Sequence, residues 1–406
     1  MKIALLGYGK EGQAAEKYFV ARGAEITKFE NFTDEGILRE DLSGYDLILR
    51  SPSVRPHEGW SSVTKYFFEH CPCPIIGVTA TKGKGTTCSF IASLLRAMGE
   101  KVYLVGNIGV PAISVLDELT SDAVVVYEMS SFQLWDLDRS PKVAVVGMIE
   151  PDHLNVHRDF EEYVAAKANI ARFQTATDYL VYYNKNAETA RIAELSAAQK
   201  VPYPDVKTCE PVLDAVKIPG QHNLDNAMAA VAAVACYYGE SVEDFVSKND
   251  DKIRAGLSNF NGLPHRLEFL REKGGVLYYD DNFATNTASM KVAVQAFPDK
   301  KVVLILGGRD KTDNEDLPEI WEILQANRNI AKIVLMGESG HEIARRYNDG
   351  RFMVAESLHE AVGIARDKAE KLTDAVVLMS PAAASFDMFE NVYDRGTQFQ
   401  EVVKQL

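Results

Sequence analysis

The sequence predicts a three-domain α/β protein. Its parts are an N-terminal Rossmann-like domain (1–73), a central P-loop domain with a mainly parallel sheet (74–261) and a C-terminal Rossmann-like domain (262–406). Three observations carry this reading. Short apolar runs alternate with helical patterns along the whole chain, as expected of parallel strands joined by crossover helices. Glycine-rich turns follow two of those runs, Gly7-Tyr-Gly-Lys-Glu-Gly12 and Gly77-Val-Thr-Ala-Thr-Lys-Gly-Lys-Gly-Thr-Thr87. The proline- and glycine-bearing segments Ser51-Pro-Ser-Val-Arg-Pro56 and Gly262-Leu-Pro264 read as loops between blocks.

In the first block the strands are Lys2–Leu6, Glu25–Phe29 and Asp46–Leu49, with helices between them. The second block opens on the apolar run Pro74 to Val78, then the glycine loop, then a helical pattern from Ser89 to Met98. Strands follow at Val102–Val105, Ala123–Tyr127 and Val143–Met148, and the four prolines of Val201–Pro219 predict irregular chain. Asn223–Tyr237 is alanine-rich and apolar on nearly every face, so it is expected to be a buried helix. The third block carries strands at Val276–Tyr279, Val302–Leu306, Lys332–Met336 and Ala375–Met379.

With 406 residues and 46% hydrophobic composition, the chain can build several cores. It has no uninterrupted apolar run of about 18 residues, so no membrane insertion is expected. The chain begins on a strand rather than a cleavable leader, and its five cysteines are expected to be reduced thiols in a cytoplasmic protein. Cys71-Pro-Cys73 is too tightly spaced for an ordinary zinc half-site. The net charge of -14 argues against nucleic acid as a partner and makes any phosphate site local.

Strand, glycine-rich loop and Gly-Lys-x-Thr opening a helix is an arrangement that holds nucleotide phosphates. Backbone N–H groups face the phosphates, Lys84 neutralises the terminal ones, and a hydroxyl of Thr86 or Thr87 approaches Mg²⁺. Two positions depart from the standard motif: Val78 stands at its first glycine, and Gly85 at the Ser/Thr that usually follows the lysine. The N-terminal Gly7-x-Gly9-x-x-Gly12, with Glu30 about 20 residues on, fits NAD, a different nucleotide, or packing alone, since the block spans only half a dinucleotide fold. Glu128, at a strand end, is a natural oxygen ligand for a hard cation or one half of a structural ion pair.

Taken with the phosphate loop, several segments occur in a collinear order that resembles the Mur ligase family. They are Val105-Gly-Asn-Ile-Gly109, Tyr127-Glu-Met-Ser-Ser-Phe-Gln133, Asp152-His153, Ala165-Ala-Lys167, Gly220-Gln-His-Asn223, Pro264-His-Arg266 and Ser380-Pro-Ala-Ala-Ala-Ser-Phe-Asp387. The resemblance implies ATP-driven amide formation through an acyl phosphate, and the nearest pattern joins D-glutamate to UDP-N-acetylmuramoyl-L-alanine for peptidoglycan. It implies ATP contacts from Thr81, Lys82, Gly83, Lys84, Gly85, Thr86, Thr87, Asn223, Asn226, Arg266 and Asp281. Catalytic and Mg²⁺ roles fall to Lys84, Glu128, His153 and Lys167, with Thr86 as a further metal ligand and Lys167 carried as a carbamate. The sugar nucleotide, rather than NAD, is assigned to Gly7, Gly9, Lys10, Gly12, Ser51 and Asn107; glutamate is assigned to Thr285, Lys311, Ser385 and Phe386. A monomer is expected.

Departures from the family pattern are Ala80 for a loop glycine, Phe283 for a lysine, and Val392 for an aromatic residue. The last two leave the amino acid open between D-glutamate, L-glutamate and another. A non-catalytic ligase-like binding protein is the alternative from another class. Folylpolyglutamate synthases share Gly-Lys-Gly but have no glycine-loop domain ahead of it.

Overall fold

Each glycine-rich turn sits at the end of a parallel strand in this computed structural model, which describes residues 1–30, 41–309 and 315–406. The chain falls into two units. Met1–Val216 and Leu224–Asn259 form the first, Lys217–Asn223 and Phe260–Leu406 the second.

The first unit contains two sheets. In the smaller, β1 (Lys2–Leu6), β2 (Glu25–Phe29), β3 (Leu47–Arg50) and β4 (Ser61–Ser62) run parallel in the order β2-β1-β3-β4. Side chains alternate across β1. Ile3 and Leu5 pack with Ala15 and Phe19 of the helix Lys10–Val20, while Ala4 and Leu6 meet Leu42 and Val54 on the other face.

The larger sheet has six strands: β5 (Ile75–Thr79), β6 (Lys101–Gly106), β7 (Ala123–Glu128), β8 (Val143–Val146), β9 (Tyr179–Tyr183) and β10 (Gln199–Tyr203). Their order is β10-β9-β8-β5-β7-β6, all parallel. β5 is fully buried, as its unbroken apolar character requires. The chain builds outward from β5 to one side with β6 and β7 and to the other with β8 to β10. This makes the carboxyl end of β5 the topological switch point, where open α/β sheets bind ligands.

Val201–Pro219 is not irregular throughout, contrary to the expectation from its prolines. β10 takes Pro202 because it is an edge strand with one side unpaired, and Val206–Leu213 is helical around Pro211. The alanine-rich helix runs Gln221–Tyr238, and every residue from Ala227 to Cys236 is buried, as its composition predicts. Asn223 lies inside its first turn, and its amide donates to the Pro219 carbonyl at 2.6 Å.

The second unit is a six-stranded sheet of β11 (Glu268–Lys273), β12 (Val276–Asp280), β13 (Lys301–Leu306), β14 (Ile330–Met336), β15 (Phe352–Ala355) and β16 (Ala375–Met379). The order is β11-β12-β16-β13-β14-β15, and β11 alone among these strands is antiparallel. Gly274 and Gly275, with φ of 60° and 78°, make the tight β11–β12 turn that only left-handed residues allow. β16, last in sequence, inserts between β12 and β13. Asp280 pairs with Met379, so the segments starting at Asp281 and Ser380 leave the sheet side by side.

Candidate active site

The phosphate loop follows β5 directly. Gly83 caps the helix Lys84–Met98 with φ 84°, and a Cβ there would lie 2.7 Å from Asn226 Oδ1. The left-handed turn and the close approach of Asn226 both require glycine. Thr87 Oγ1 donates to Gly83 O at 3.0 Å and lies 3.3 Å from Asn226 Oδ1, so Thr87 braces the loop. Ala80 is accommodated by a glycine opposite: a Cβ on Gly147 would come within 2.7 Å of the Ala80 Cβ.

Lys84 Nζ donates to the carbonyls of Ala80 (3.0 Å) and Thr81 (3.1 Å). Lys167, on the helix Phe160–Arg172, is 1% exposed, and its Nζ donates to the same Ala80 carbonyl at 2.9 Å and to Thr79 Oγ1 at 3.2 Å. Two amines therefore share one carbonyl oxygen. Burial is the main cause that lowers both their pKa values, and the Lys84 charge drives Lys167 down further, well below the ordinary lysine range. The Tyr163 ring lies under Lys167 Nζ at 4.7 Å, and its hydroxyl is 2.9 Å from Thr81 Oγ1, which donates to Glu150 O at 3.0 Å.

These groups face a cavity of about 450 Å³ that brings together Thr81, Lys84, Asn107, His153 and Lys167 from the sequence-based set. His153 sits at φ 55°, its ring edge-on to Phe132 at 5.0 Å and its Nε2 3.9 Å from Asp152 Oδ2. Burial raises the Asp152 carboxyl, but His153 and Lys82 outweigh it and hold the group below its ordinary value. Lys82 itself is mostly exposed, 3.6 Å from Asp152. Glu128 ends β7, buried, and its charge acts on both Lys84 and Lys167. Where β6 ends beside it, Gly106 (φ 109°) leaves only 2.2 Å between a would-be Cβ and Glu128 O, which explains the glycine before Asn107. Gly85 is half-buried in the first turn of the loop helix.

The donors at this cavity fit a divalent cation on one condition. An ammonium at position 167 repels a cation, whereas a neutral buried amine can take up CO₂ and become an anionic oxygen ligand beside Glu128 and His153. Ser53, Ser130, Phe132 and Tyr163 also line the cavity, none of them singled out by the sequence; Ser130 and Phe132 lie within the Tyr127–Gln133 segment that carries the family resemblance.

At the N-terminal glycine loop, Gly7 (φ 86°) and Gly12 are required by contact. A Cβ would fall 2.1 Å from Ser51 Oγ at Gly7 and 2.5 Å from Gly7 O at Gly12, whereas nothing lies within 4 Å of Gly9. Ser51 Oγ donates to Leu6 O at 3.0 Å, and Lys10 is exposed. Two charged residues the sequence reading did not single out complete this end. Arg50 is fully buried, with Nε 3.0 Å from Asp136 and further bonds to the Val54 and Phe132 carbonyls. Glu11 accepts from Gln133 Nε2 at 2.5 Å, and burial pushes its carboxyl up to about 7.

In the second unit, Asp281 spends both oxygens internally, accepting from Ser380 Oγ (2.8 Å) and Leu267 N (3.2 Å), and burial pushes its carboxyl up to about 7. Arg266 is exposed on a turn whose neighbours His265 and Leu267 both have positive φ, with His265 Nδ1 anchored on Asp280 at 2.7 Å. Arg395, fully buried, donates to the carbonyls of Ala383, Ala384 and Asn282, each at 3.1 Å, and so ties the two parallel segments together. Ser385 Oγ is buried without a partner among the described residues, Phe386 is 69% exposed, and Thr285 N donates to Phe283 O at 2.9 Å. Phe283 packs between His265 and Tyr393, each ring at 5.2 Å, with the Arg266 guanidinium 6.0 Å above it. Val392 opens the last helix, and its carbonyl accepts from Asn282 at 2.5 Å. Lys311 lies outside the described residues. The described residues also group His265, Glu268 and Asp280 at metal-ligand spacing, but the Gln400 amide already donates to Glu268 (2.8 Å) and Asp280 (3.0 Å).

A glycine-rich loop opening a helix at the switch point of a parallel sheet, followed by a second α/β unit, defines the architecture of an α/β protein that binds phosphate groups. The family model for the Mur ligase middle domain matches residues 78–210, and that for the Mur ligase glutamate ligase domain matches 265–382. The chain belongs to the Mur ligase family. It is 34% identical to the UDP-N-acetylmuramoylalanine–D-glutamate ligase of Acetivibrio thermocellus, over 100% of this chain and 96% of that protein. To the enzyme of the same name from Clostridium kluyveri it is 33% identical, over 100% and 97%. Among solved structures, the UDP-N-acetylmuramate–alanine ligase of Thermotoga maritima superposes with a TM-score of 0.57 at 17% identity, over 100% of this chain and 99% of that one. The UDP-N-acetylmuramoylalanyl-D-glutamyl-2,6-diaminopimelate–D-alanyl-D-alanyl ligase of Acinetobacter baumannii gives 0.61 at 17% identity, over 93% and 89%. These structural likenesses establish the fold, which is the α/β architecture the sequence predicts.

Proposed function

We propose that the chain is an ATP-dependent ligase that joins D-glutamate to the carboxylate of UDP-N-acetylmuramoyl-L-alanine, as a monomer in the cytoplasm, for peptidoglycan precursor synthesis. The observation that carries the proposal is the convergence of Lys84 and Lys167 on one carbonyl at the switch point of the central sheet. Full-length similarity to relatives bearing that activity in their names supports it.

Residues 1–73 would hold the sugar nucleotide through Gly7, Gly9, Lys10, Gly12 and Ser51, with Asn107 reaching toward its muramoyl part. Residues 74–261 would hold ATP through the loop Thr81–Thr87 and Asn226. Asn223, Arg266 and Asp281 are further proposed ATP contacts, and 262–406 would supply Thr285, Lys311, Ser385 and Phe386 to the amino acid.

The substrate carboxylate oxygen attacks the γ-phosphorus, an O–P bond forms and ADP leaves. The amino acid amine, giving up a proton to the departing phosphate or to solvent, then attacks the acyl carbon; the C–O bond to phosphate breaks, and inorganic phosphate leaves as the amide forms. Lys84 contributes positive charge where negative charge spreads over the transferring oxygens, and the phosphates beside it would offset the burial that lowers its pKa. Magnesium, when bound, would be held by Glu128, His153, the Lys167 carbamate and the Thr86 hydroxyl, and supplies charge neutralisation at the phosphates. The orphan hydroxyl of Ser385 is a ready donor to an amino acid carboxylate.

Phe283 and Val392 favour one second reading, in which the same chemistry takes L-glutamate or another amino acid. The deciding experiment is phosphate release from ATP with Mg²⁺ and UDP-N-acetylmuramoyl-L-alanine across D- and L-amino acids. Release dependent on both the sugar nucleotide and D-glutamate is expected. Release with a different amino acid alone moves the substrate, and none with any amino acid, despite nucleotide binding, overturns the catalytic reading.

A further inference from the structure

Cys71-Pro-Cys73 joins the helix Val63–His70 to β5, and the catalytic proposal makes no use of it. Cys71 N caps the helix by donating to Phe67 O at 2.8 Å, and its own backbone is extended (φ -68°, ψ 119°). Residues two apart in extended chain share a face, so both thiols turn the same way. Their sulfurs lie 3.7 Å apart, and Cys71 Sγ is 3.5 Å from Cys73 O. Both line a cavity of about 380 Å³, separate from the one at the phosphate loop, whose walls include Phe68, Arg139, Lys142 and Phe173. Cys71 is half-buried and Cys73 buried, so one thiol is open to reagents and its neighbour sits behind it. Cys88, Cys209 and Cys236 are all buried.

We propose that Cys71 and Cys73 are a redox site, oxidised to an intramolecular disulfide by low-molecular-weight disulfides of the glutathione class that enter this cavity. In the first step the Cys71 thiolate attacks one sulfur of the small disulfide. A new S–S bond forms, the old one breaks, and one thiolate leaves and takes up a proton. In the second step Cys73, losing its proton to solvent, attacks the Cys71 sulfur and expels the second small thiol. Two protein thiols are oxidised by two electrons, and one small disulfide is reduced to two thiols. Cys71 suits the first step because the hydrogen bond from Cys73 lowers its pKa, while the same contact and burial raise that of Cys73. Transient disulfides of this kind are how protein thiols respond in reducing compartments.

The test equilibrates the full chain with graded mixtures of reduced and oxidised glutathione, quenches with acid, caps free thiols with N-ethylmaleimide and maps peptides by mass. The expected product has lost two hydrogens, confined to the peptide holding both residues, and dithiothreitol restores it. Both thiols capped at every ratio overturn the proposal, as does a glutathione adduct on Cys71 that never closes. Cys73→Ser is expected to stop with one glutathione on Cys71, and Cys71→Ser to react at neither position. Adduct formation on Cys73 in Cys71→Ser at the wild-type rate overturns the assigned order of attack. Should either variant fail to fold, pulse alkylation of the wild-type chain decides the order: Cys71 is expected to label before Cys73, and the reverse sinks the assignment.

Discussion

At the carboxyl end of β5, two lysine amines converge on the Ala80 carbonyl, with Glu128 and Asp152 as the nearby counter-charges. At the carboxyl ends of β12 and β16, the equivalent positions in the second unit carry a buried carboxyl, an unpartnered hydroxyl and an aromatic ring, held by Arg395 against three backbone carbonyls. The first arrangement is cation-rich and strained toward neutrality. The carbamate proposed at Lys167 would set an anion beside the Lys84 ammonium. The second is already paired internally, so its chemistry depends on what its loops leave unpaired. Charge placed by a short motif therefore marks the first of these sites, while the second is shaped by packing between segments distant in sequence.

The difference can be broken most sharply at Lys84. Lys84→Ala is expected to lower ATP-dependent phosphate release by about 10²–10³-fold, as for the loss of other preorganised charge, with folding intact by circular dichroism. Activity within a few-fold of wild type would remove the loop from the chemistry. Lys167→Ala should likewise lose most activity, and a short carboxylate in the buffer should restore part of it. Failure of every carboxylate to rescue a folded variant would count against a carbamate.

In the second unit the largest effect should be on stability. Arg395→Met leaves several buried carbonyls without donors and is expected to cost on the order of 3 kcal/mol in urea unfolding. A change below about 0.5 kcal/mol would mean the tie is dispensable. Phe283→Lys restores the family's cation and is expected to lower the KM for an acidic amino acid about fivefold, the equivalent of about 1 kcal/mol, with the KM for ATP unchanged. An unchanged amino acid KM would place that substrate away from Phe283.

The smallest effect concerns pH. Glu11 has its folded pKa raised to about 7, so its protonated form is favoured in the native state. Its contribution to stability is fully present below the ordinary carboxyl value near pH 4 and is lost as pH rises through about 7. Glu11→Gln should therefore flatten the fall in unfolding free energy between about pH 4 and 7. Parallel curves for the two proteins would show that the carboxyl is not so perturbed. Asp281, raised by burial in the same direction, gives the matching test in the second unit.

Much of the first unit could be read from residues adjacent in the chain. Gly83 and Lys84 are placed by strand–loop–helix geometry, and the strand at Ala123–Glu128 ends on the carboxylate expected of it. Pro202 misled, because a proline reads as a breaker unless its strand is known to be an edge. Tyr163 and Arg50 carried no local signal; each matters through partners 82 or 86 positions away. No helix among the described residues is long and apolar enough to cross a membrane.

The sequence by itself determined the alternation of strands and helices, the glycines that demand left-handed backbone, and the identity of the charged side chains, because each depends on propensity or chemistry within a few residues. Only the tertiary structure decided that Lys84 and Lys167 share one oxygen, that Gly147 makes room for Ala80, and that the last strand inserts beside β12 to bring Ser380 to Asp281. Those are distances between segments far apart in the chain. They are fixed by sheet order and close packing, which no local pattern encodes.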